Sequence, residues 1–111
     1  VRFVVIEKDL NILAYLSYVI VDGILKVKSI QLRPSAGKYA LKQLLSKVAL
    51  ATSKEAFKEV RSKVYIANQA SLRLHEKLGF IQTQQRGGTI EFGISRQQLS
   101  TTLCSFGILR Q

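Results

Sequence analysis

The run from Val64 to Phe80 constrains this chain more tightly than any other segment. Val64-Tyr65-Ile66-Ala67 is short, apolar, and β-branched or aromatic, which reads as a buried strand. Asn68 is a good N-cap, the residues after it suit a helix, and Gly79 is a natural terminator in the left-handed region. Phe80 then enters the next apolar segment. The unit is therefore strand, cap, helix over 69–78, glycine stop and a further strand. On that helix Ala70, Leu74 and Leu78 form a stripe at i, i+4, i+8 that should face a core. Asn68, Ser71 and His75 form an adjoining stripe of groups able to hydrogen-bond to a ligand.

Around this unit the pattern of the chain is simple. Residues 2–7, 12–21 and 24–32 read as three meandering strands, with Asp22-Gly23 as a hairpin turn between the second and third. Arg33-Pro34-Ser35 stops the third strand. Leu41, Leu44, Leu45, Val48 and Thr52 recur at helical spacing, which predicts a helix over 38–57. Strands follow at 61–67, 80–85 and 89–95, the last two joined at Gly87-Gly88. The tail, 96–111, is ambiguous, with a possible extra strand at 103–109. No repeat or low-complexity linker divides the chain, so residues 1–111 read as one domain with its core over 3–95.

Composition narrows what such a domain can do. The chain has 111 residues, 47% apolar and 22% charged, which is a globular balance. No apolar run approaches the roughly 20 residues that cross a bilayer, and no signal peptide is visible, so no membrane role is expected. The sequence contains no Met, which points to a processed or excised piece. Cys104 is the single cysteine; it cannot form an intrachain disulfide, no metal site is expected, and a reducing, cytoplasmic setting fits. Lys and Arg number 17 against 7 Asp and Glu, a net charge of +10, which favours an anionic partner. The basic residues recur singly and are not interleaved with stacking aromatics, so support for RNA is weak. Oligomeric state is left open.

The segment from Asn68 to Phe80 resembles the Asn-x-x-Ala-x-x-x-Tyr-x-x-x-Gly-Phe region of the GNAT-type N-acetyltransferases. Asn68, Leu74, Glu76, Lys77, Leu78, Gly79 and Phe80 match, and His75 stands where the family often has a general-acid tyrosine. The resemblance implies an α/β (α+β) fold with a mixed, mostly antiparallel central sheet and helices on both faces. It also implies that strand 61–67 runs parallel to strand 24–32, and that the two splay into a V that admits the cofactor. The order of elements matches the family without its front, a first strand and two helices. A phosphate-binding loop is expected between Leu32-Arg33-Pro34 and the long helix. There Gly37 takes the Arg or Gln position, Lys38 and Tyr39 follow, and Ala40 and Lys42 take two glycine positions. The physical basis of such a loop is backbone amides that approach a diphosphate at a helix N-terminus.

By this resemblance the cofactor is acetyl-CoA or another acyl-CoA, and the acceptor is an amine that attacks the thioester directly. The implied cofactor residues are Leu32, Gly37, Lys38, Ala40, Lys42, Asn68 and Ser71. A backbone amide near Ile30 or Leu32 would hold the oxyanion, and His75 would move a proton; the alternative for His75 is an ordinary helix residue with no role. Three functions follow: an acyl-CoA-dependent N-acyltransferase, a GNAT-like binding or assembly module without catalysis, or a basic relative acting on an RNA-bound amine.

Overall fold

Three strands open the structure, a computed structural model that describes residues 1–109. They are β1 (Arg2–Lys8), β2 (Asn11–Val21) and β3 (Ile24–Leu32), each antiparallel to the next. Asp22 and Gly23 both adopt positive φ, 53° and 76°, which is the backbone that an Asp-Gly hairpin supplies at lowest cost. Helix α1 (Gly37–Ala51) leads to β4 (Glu59–Tyr65), α2 (Gln69–Lys77) to β5 (Ile81–Arg86), and β6 (Thr89–Ser95) to α3 (Arg96–Ser105). The sheet has six strands in the order β1-β2-β3-β4-β6-β5. Among the described residues only β3 and β4 pair in parallel and every other strand pair is antiparallel, as expected.

Alternation along the strands sends Val4, Leu16, Leu25, Val60 and Ile94 to one face, where Leu44 of α1 packs on them with no exposure. Ser62, two residues beyond Val60 and on the same face, bonds to His75 of α2. Leu99 of α3 packs against the same cluster. All three helices thus cover one face, which corrects the expected placement on both. The cause lies in the topology. The crossovers β3-α1-β4 and β4-α2-β5 step across the sheet in the same direction, and crossovers of one hand then put both helices on one side.

Two further expectations are corrected. The first long helix ends at Ala51, not near residue 57: Thr52 turns its hydroxyl back onto the Val48 carbonyl at 2.8 Å and the chain loops toward β4. The tail, ambiguous in sequence with a possible strand at 103–109, forms α3 over Arg96–Ser105. Ser95 caps it, accepting from the Gln98 amide at 3.1 Å, and Gly107, at φ +72°, closes it. There Gly107 N–H donates to Cys104 and Ile108 N–H to Leu103, a paired bond pattern that consumes the last helical carbonyls. The final two residues of the expected tail lie outside the described residues.

Candidate functional site

The parallel pair is short. Ile24, Leu25, Lys26 and Val27 pair with Glu59, Val60, Arg61 and Ser62, and beyond Val27–Ser62 no pairing joins β3 to β4 among the described residues. Both strands continue, β3 to Leu32 and β4 to Tyr65, so they diverge and leave a wedge between them. Ile30 lies on the stretch of β3 beyond its pairing with β4, half-buried, and is held on its other edge by pairing with Leu16 of β2. Its backbone runs along the wedge, where an amide can serve a group lodged between the strands.

Past Leu32 the chain turns at Arg33-Pro34, where Ala36 N–H donates to the Arg33 carbonyl at 3.0 Å, and enters α1. No side chain caps this helix, so its first amides lack acceptors within the helix. Gly37 adopts φ +72° with nothing within 4 Å of where a Cβ would stand, leaving the backbone there open. The first turn holds no acidic residue and does hold Lys38. A cation at this end opposes the helix dipole, a cost of roughly 0.3–1 kcal/mol that a bound anion reverses. Leu32, Gly37 and Lys38 therefore gather at the wide end of the wedge. Ala40 does not join them as a side chain, since it is buried beneath α1. Lys42 lies in a recess on the β1 side of the helix, with Val5, Glu7, Tyr39 and Lys47.

Across the wedge, β4 ends at Tyr65, and Asn68 follows as the cap of α2. Its Oδ1 accepts from the Ser71 amide at 3.1 Å, while its Nδ2 makes no hydrogen bond among the described residues. Gly79, at φ +91°, ends the helix as the sequence predicts, with Gly79 N–H donating to Glu76 and Phe80 N–H to His75.

The histidine is placed differently from the expected ligand-facing stripe. The buried side of α2 carries His75 and Leu78, flanked by half-buried Ser71 and Leu74, whereas Ala70 is exposed. The His75 ring lies 5.0 Å from the ring centroids of both Phe80 and Phe92. A carbonyl can only accept, so Nδ1–H donates to the Ser71 carbonyl at 2.7 Å, and Nε2 accepts from the Ser62 hydroxyl at 2.9 Å. Burial pushes the imidazole pKa below its ordinary value, opposed by the Ser71 carbonyl bond. This arrangement makes His75 a neutral, satisfied core group one side chain removed from the vertex of the wedge. A lone histidine in a helical stripe gives no sign in sequence of which of its sides will face the sheet.

Two features were missed in the sequence. Arg96 sits under the end of α1: Nη1 donates to the carbonyls of Glu55 at 2.7 Å and Phe57 at 3.3 Å, and Nη2 to those of Thr52 at 3.2 Å and Ser53 at 3.1 Å. Its guanidinium lies 3.9 Å above the Phe57 ring. The second is an apolar cavity of about 630 Å³ between α1, α2 and α3. Its signal in sequence was the Ser95-x-x-Gln98 capping pattern followed by Leu99 and Leu103, which marks a helix.

No family model and no curated protein matches the sequence. Solved structures match the fold. The PaiA N-acetyltransferase of Thermoplasma acidophilum, in complex with coenzyme A, superposes with a TM-score of 0.75 at 19% identity, over 84% of this chain and 59% of that one. FdhC, a nucleotide-linked sugar GNAT, gives 0.72 at 16% identity over 90% and 58%. Campylobacter jejuni N-acetyltransferase PseH, in complex with acetyl coenzyme A, gives 0.65 at 13% identity over 85% and 67%. The chain thus spans less than two thirds of the length of the first two of these structures. Together with the splayed β3–β4 pair and the glycine-closed helix after β4, these likenesses give the chain the fold of the GNAT N-acetyltransferases.

Proposed function

We propose that this chain is the donor-binding part of an acyl-CoA-dependent N-acyltransferase, which passes an acyl group from coenzyme A to an amine by direct attack. The observation that carries this reading is the divergence of β3 from β4 immediately beside an uncapped helix N-terminus. An extended thioester arm needs a slot whose walls offer backbone groups, and its diphosphate needs free amides and positive charge. The residues present fit that need in part. The open backbone at Gly37, the amides that follow it and Lys38 suit a diphosphate. Lys42, on the β1 side, adds charge at longer range. Leu32 and Asn68 would flank the arm, with Asn68 Nδ2 as donor, and Ser71 stands one turn further in.

When bound, acyl-CoA supplies an activated thioester carbonyl. The chain's own contribution is to orient that carbonyl in the wedge and to place a backbone amide near Ile30 or Leu32 where negative charge develops. His75 has both nitrogens engaged, so any proton it moves would pass through the Ser62 hydroxyl. We assign it first to positioning β4 against α2. The engaged histidine and the glycine-poor loop also favour a second reading, a GNAT-like binding or assembly module that holds the donor without turnover.

Calorimetry with coenzyme A tests the donor site. Replacing Lys38 and Lys42 together by Glu should weaken binding by at least about tenfold, roughly 1.4 kcal/mol, with Lys38→Glu alone giving most of the loss. Unchanged affinity would remove the phosphate site from α1. Donor binding without transfer to any amine would favour the module.

A further inference from the structure

Strand β1 stands at the edge of the sheet, with no strand beyond it among the described residues. Its outward backbone groups can be identified. Lys47 Nζ of α1 donates to the Val5 carbonyl at 2.9 Å, so that carbonyl points away from β2. Along an antiparallel strand, inward and outward residues alternate, and each turns its N–H and C=O to the same side. Phe3 therefore faces outward as Val5 does. Apart from the Lys47 bond, the outward groups of these two residues have no partner among the described residues. Free edges are usually blunted by proline, short length or charge. β1 runs from Arg2 to Lys8 without a proline, and the ammonium on its Val5 carbonyl belongs to an exposed side chain that can swing away.

The two faces beside this edge differ. On the helix side lies the recess that holds Lys42 and Lys47 of α1, with Glu7 as the one acid on its lining. Lys8 closes the strand at that end. On the outer face stands Phe3, largely exposed, with its ring centroid 6.4 Å from that of Tyr15. A strand added at the edge sends alternate side chains to these two faces. One set meets lysines and the other meets an aromatic pair.

We infer that the β1 edge takes up an extended peptide of a partner protein, in which acidic residues alternate with apolar ones, as a further strand of the sheet. Main-chain bonds to Phe3 and Val5 hold it, and the alternate side chains select it. A peptide amide replaces Lys47 on the Val5 carbonyl, and the freed ammonium pairs with an acidic side chain. A second copy of this chain fits the edge less well. Paired antiparallel about Val5, it would set Arg2 against Lys8, and like charges directly opposite are destabilising. Two bodies of net charge +10 also repel. The inference is independent of the donor reading, since Phe3, Val5 and Lys47 are not part of the donor site.

Fluorescence anisotropy with a labelled peptide of about eight residues, alternating Glu and Val, tests this. It should bind at least about tenfold more tightly than the same peptide with Lys in place of Glu. In an added strand the amides of only one residue type face β1. N-methylation of all Glu amides or of all Val amides should therefore abolish binding in one case and spare it in the other. Val5→Pro removes an outward N–H at a position where an edge strand tolerates proline, and should abolish binding. Lys47→Glu should weaken it by at least about tenfold and serves should the proline variant fold poorly. Equal binding of both methylated forms would show charge attraction alone and overturn the inference. So would equal binding of the Lys peptide, or no binding of the acidic one. A dimer seen by sedimentation that excludes the peptide and that Val5→Pro dissolves would give the edge to a second copy and overturn it too.

Discussion

His75 is held by Phe92 stacked on its ring, Phe80 edge-on to it, and Ser71 and Ser62 on its nitrogens. Its removal should therefore be felt first in stability. His75→Ala leaves a hole between two aromatic rings and strands the Ser62 hydroxyl, a cost of about 2–4 kcal/mol that urea unfolding would measure. A loss below about 0.5 kcal/mol would mean the ring is not packed this way. The same burial makes stability depend on pH. Above about 6.5 the imidazole is neutral folded and unfolded, so pH has no effect through it. As pH falls below that value, the unfolded chain takes up a proton that the buried ring resists. Stability should drop toward the lowered folded pKa, by no more than about 1.4 kcal/mol per pH unit. His75 is the only histidine, so His75→Gln should flatten the curve between pH 7 and the range where carboxylates titrate, roughly 4. At Asn68 the cap and the expected ligand contact use different atoms. Asn68→Asp keeps the accepting oxygen, so stability should hold while coenzyme A affinity falls through loss of the Nδ2 donor. The sequence marked Asn68 and Gly79 correctly because cap and stop are local, whereas the face to which His75 turned depended on what lay across from it.

At the scale of elements, α3 and the end of α1 are joined through one side chain. Arg96 serves four carbonyls of the loop after α1, those of Thr52, Ser53, Glu55 and Phe57, of which that of Thr52 also accepts from the Glu55 amide, and it covers Phe57. A positive charge at a helix C-terminus is also favoured by the dipole. Arg96→Ala should lower stability by at least about 2 kcal/mol, seen as a lower unfolding midpoint in urea. Arg96→Lys should recover little of it, because an ammonium cannot reach four carbonyls in a planar fork. Full recovery by Lys would show that charge alone suffices. Further along, the Lys77 ammonium lies 5.8 Å from the Phe106 ring centroid and ties the end of α3 to the end of α2. The helix was legible in the Ser95–Gln98 spacing and in Leu99 and Leu103. The competing β-like run at its end was misleading, because Gly107 breaks it with a left-handed turn that caps the helix.

Among the described residues the helices cover one side of the sheet. Glu59, Arg61, Lys63 and Tyr65 of β4 point away from the helices. On the same outer face lie Phe3, 66% exposed, Ile81, 64%, and Val21, 42%. Phe3 and Ile81 sit on the two opposite edge strands, and Phe3 lies beside Tyr15 of β2; this exposed aromatic pair should bind a hydrophobic dye and promote self-association. Phe3→Lys should reduce both, as read by dye fluorescence and by sedimentation, without lowering the unfolding midpoint; an unchanged signal would mean the dye enters elsewhere. The sequence by itself determined the strands, the Asp22-Gly23 and Gly79 turns, and the Asn68 cap. These are set by φ preference, local hydrogen bonding and period-two burial, all of which act over a few residues. The tertiary structure alone decided that the helices share one face, that His75 belongs to the core, that Arg96 reaches back to α1, and that a chamber remains between the helices. Each of those depends on which distant surfaces meet, and contact between residues 40 positions apart leaves no periodic trace in the chain.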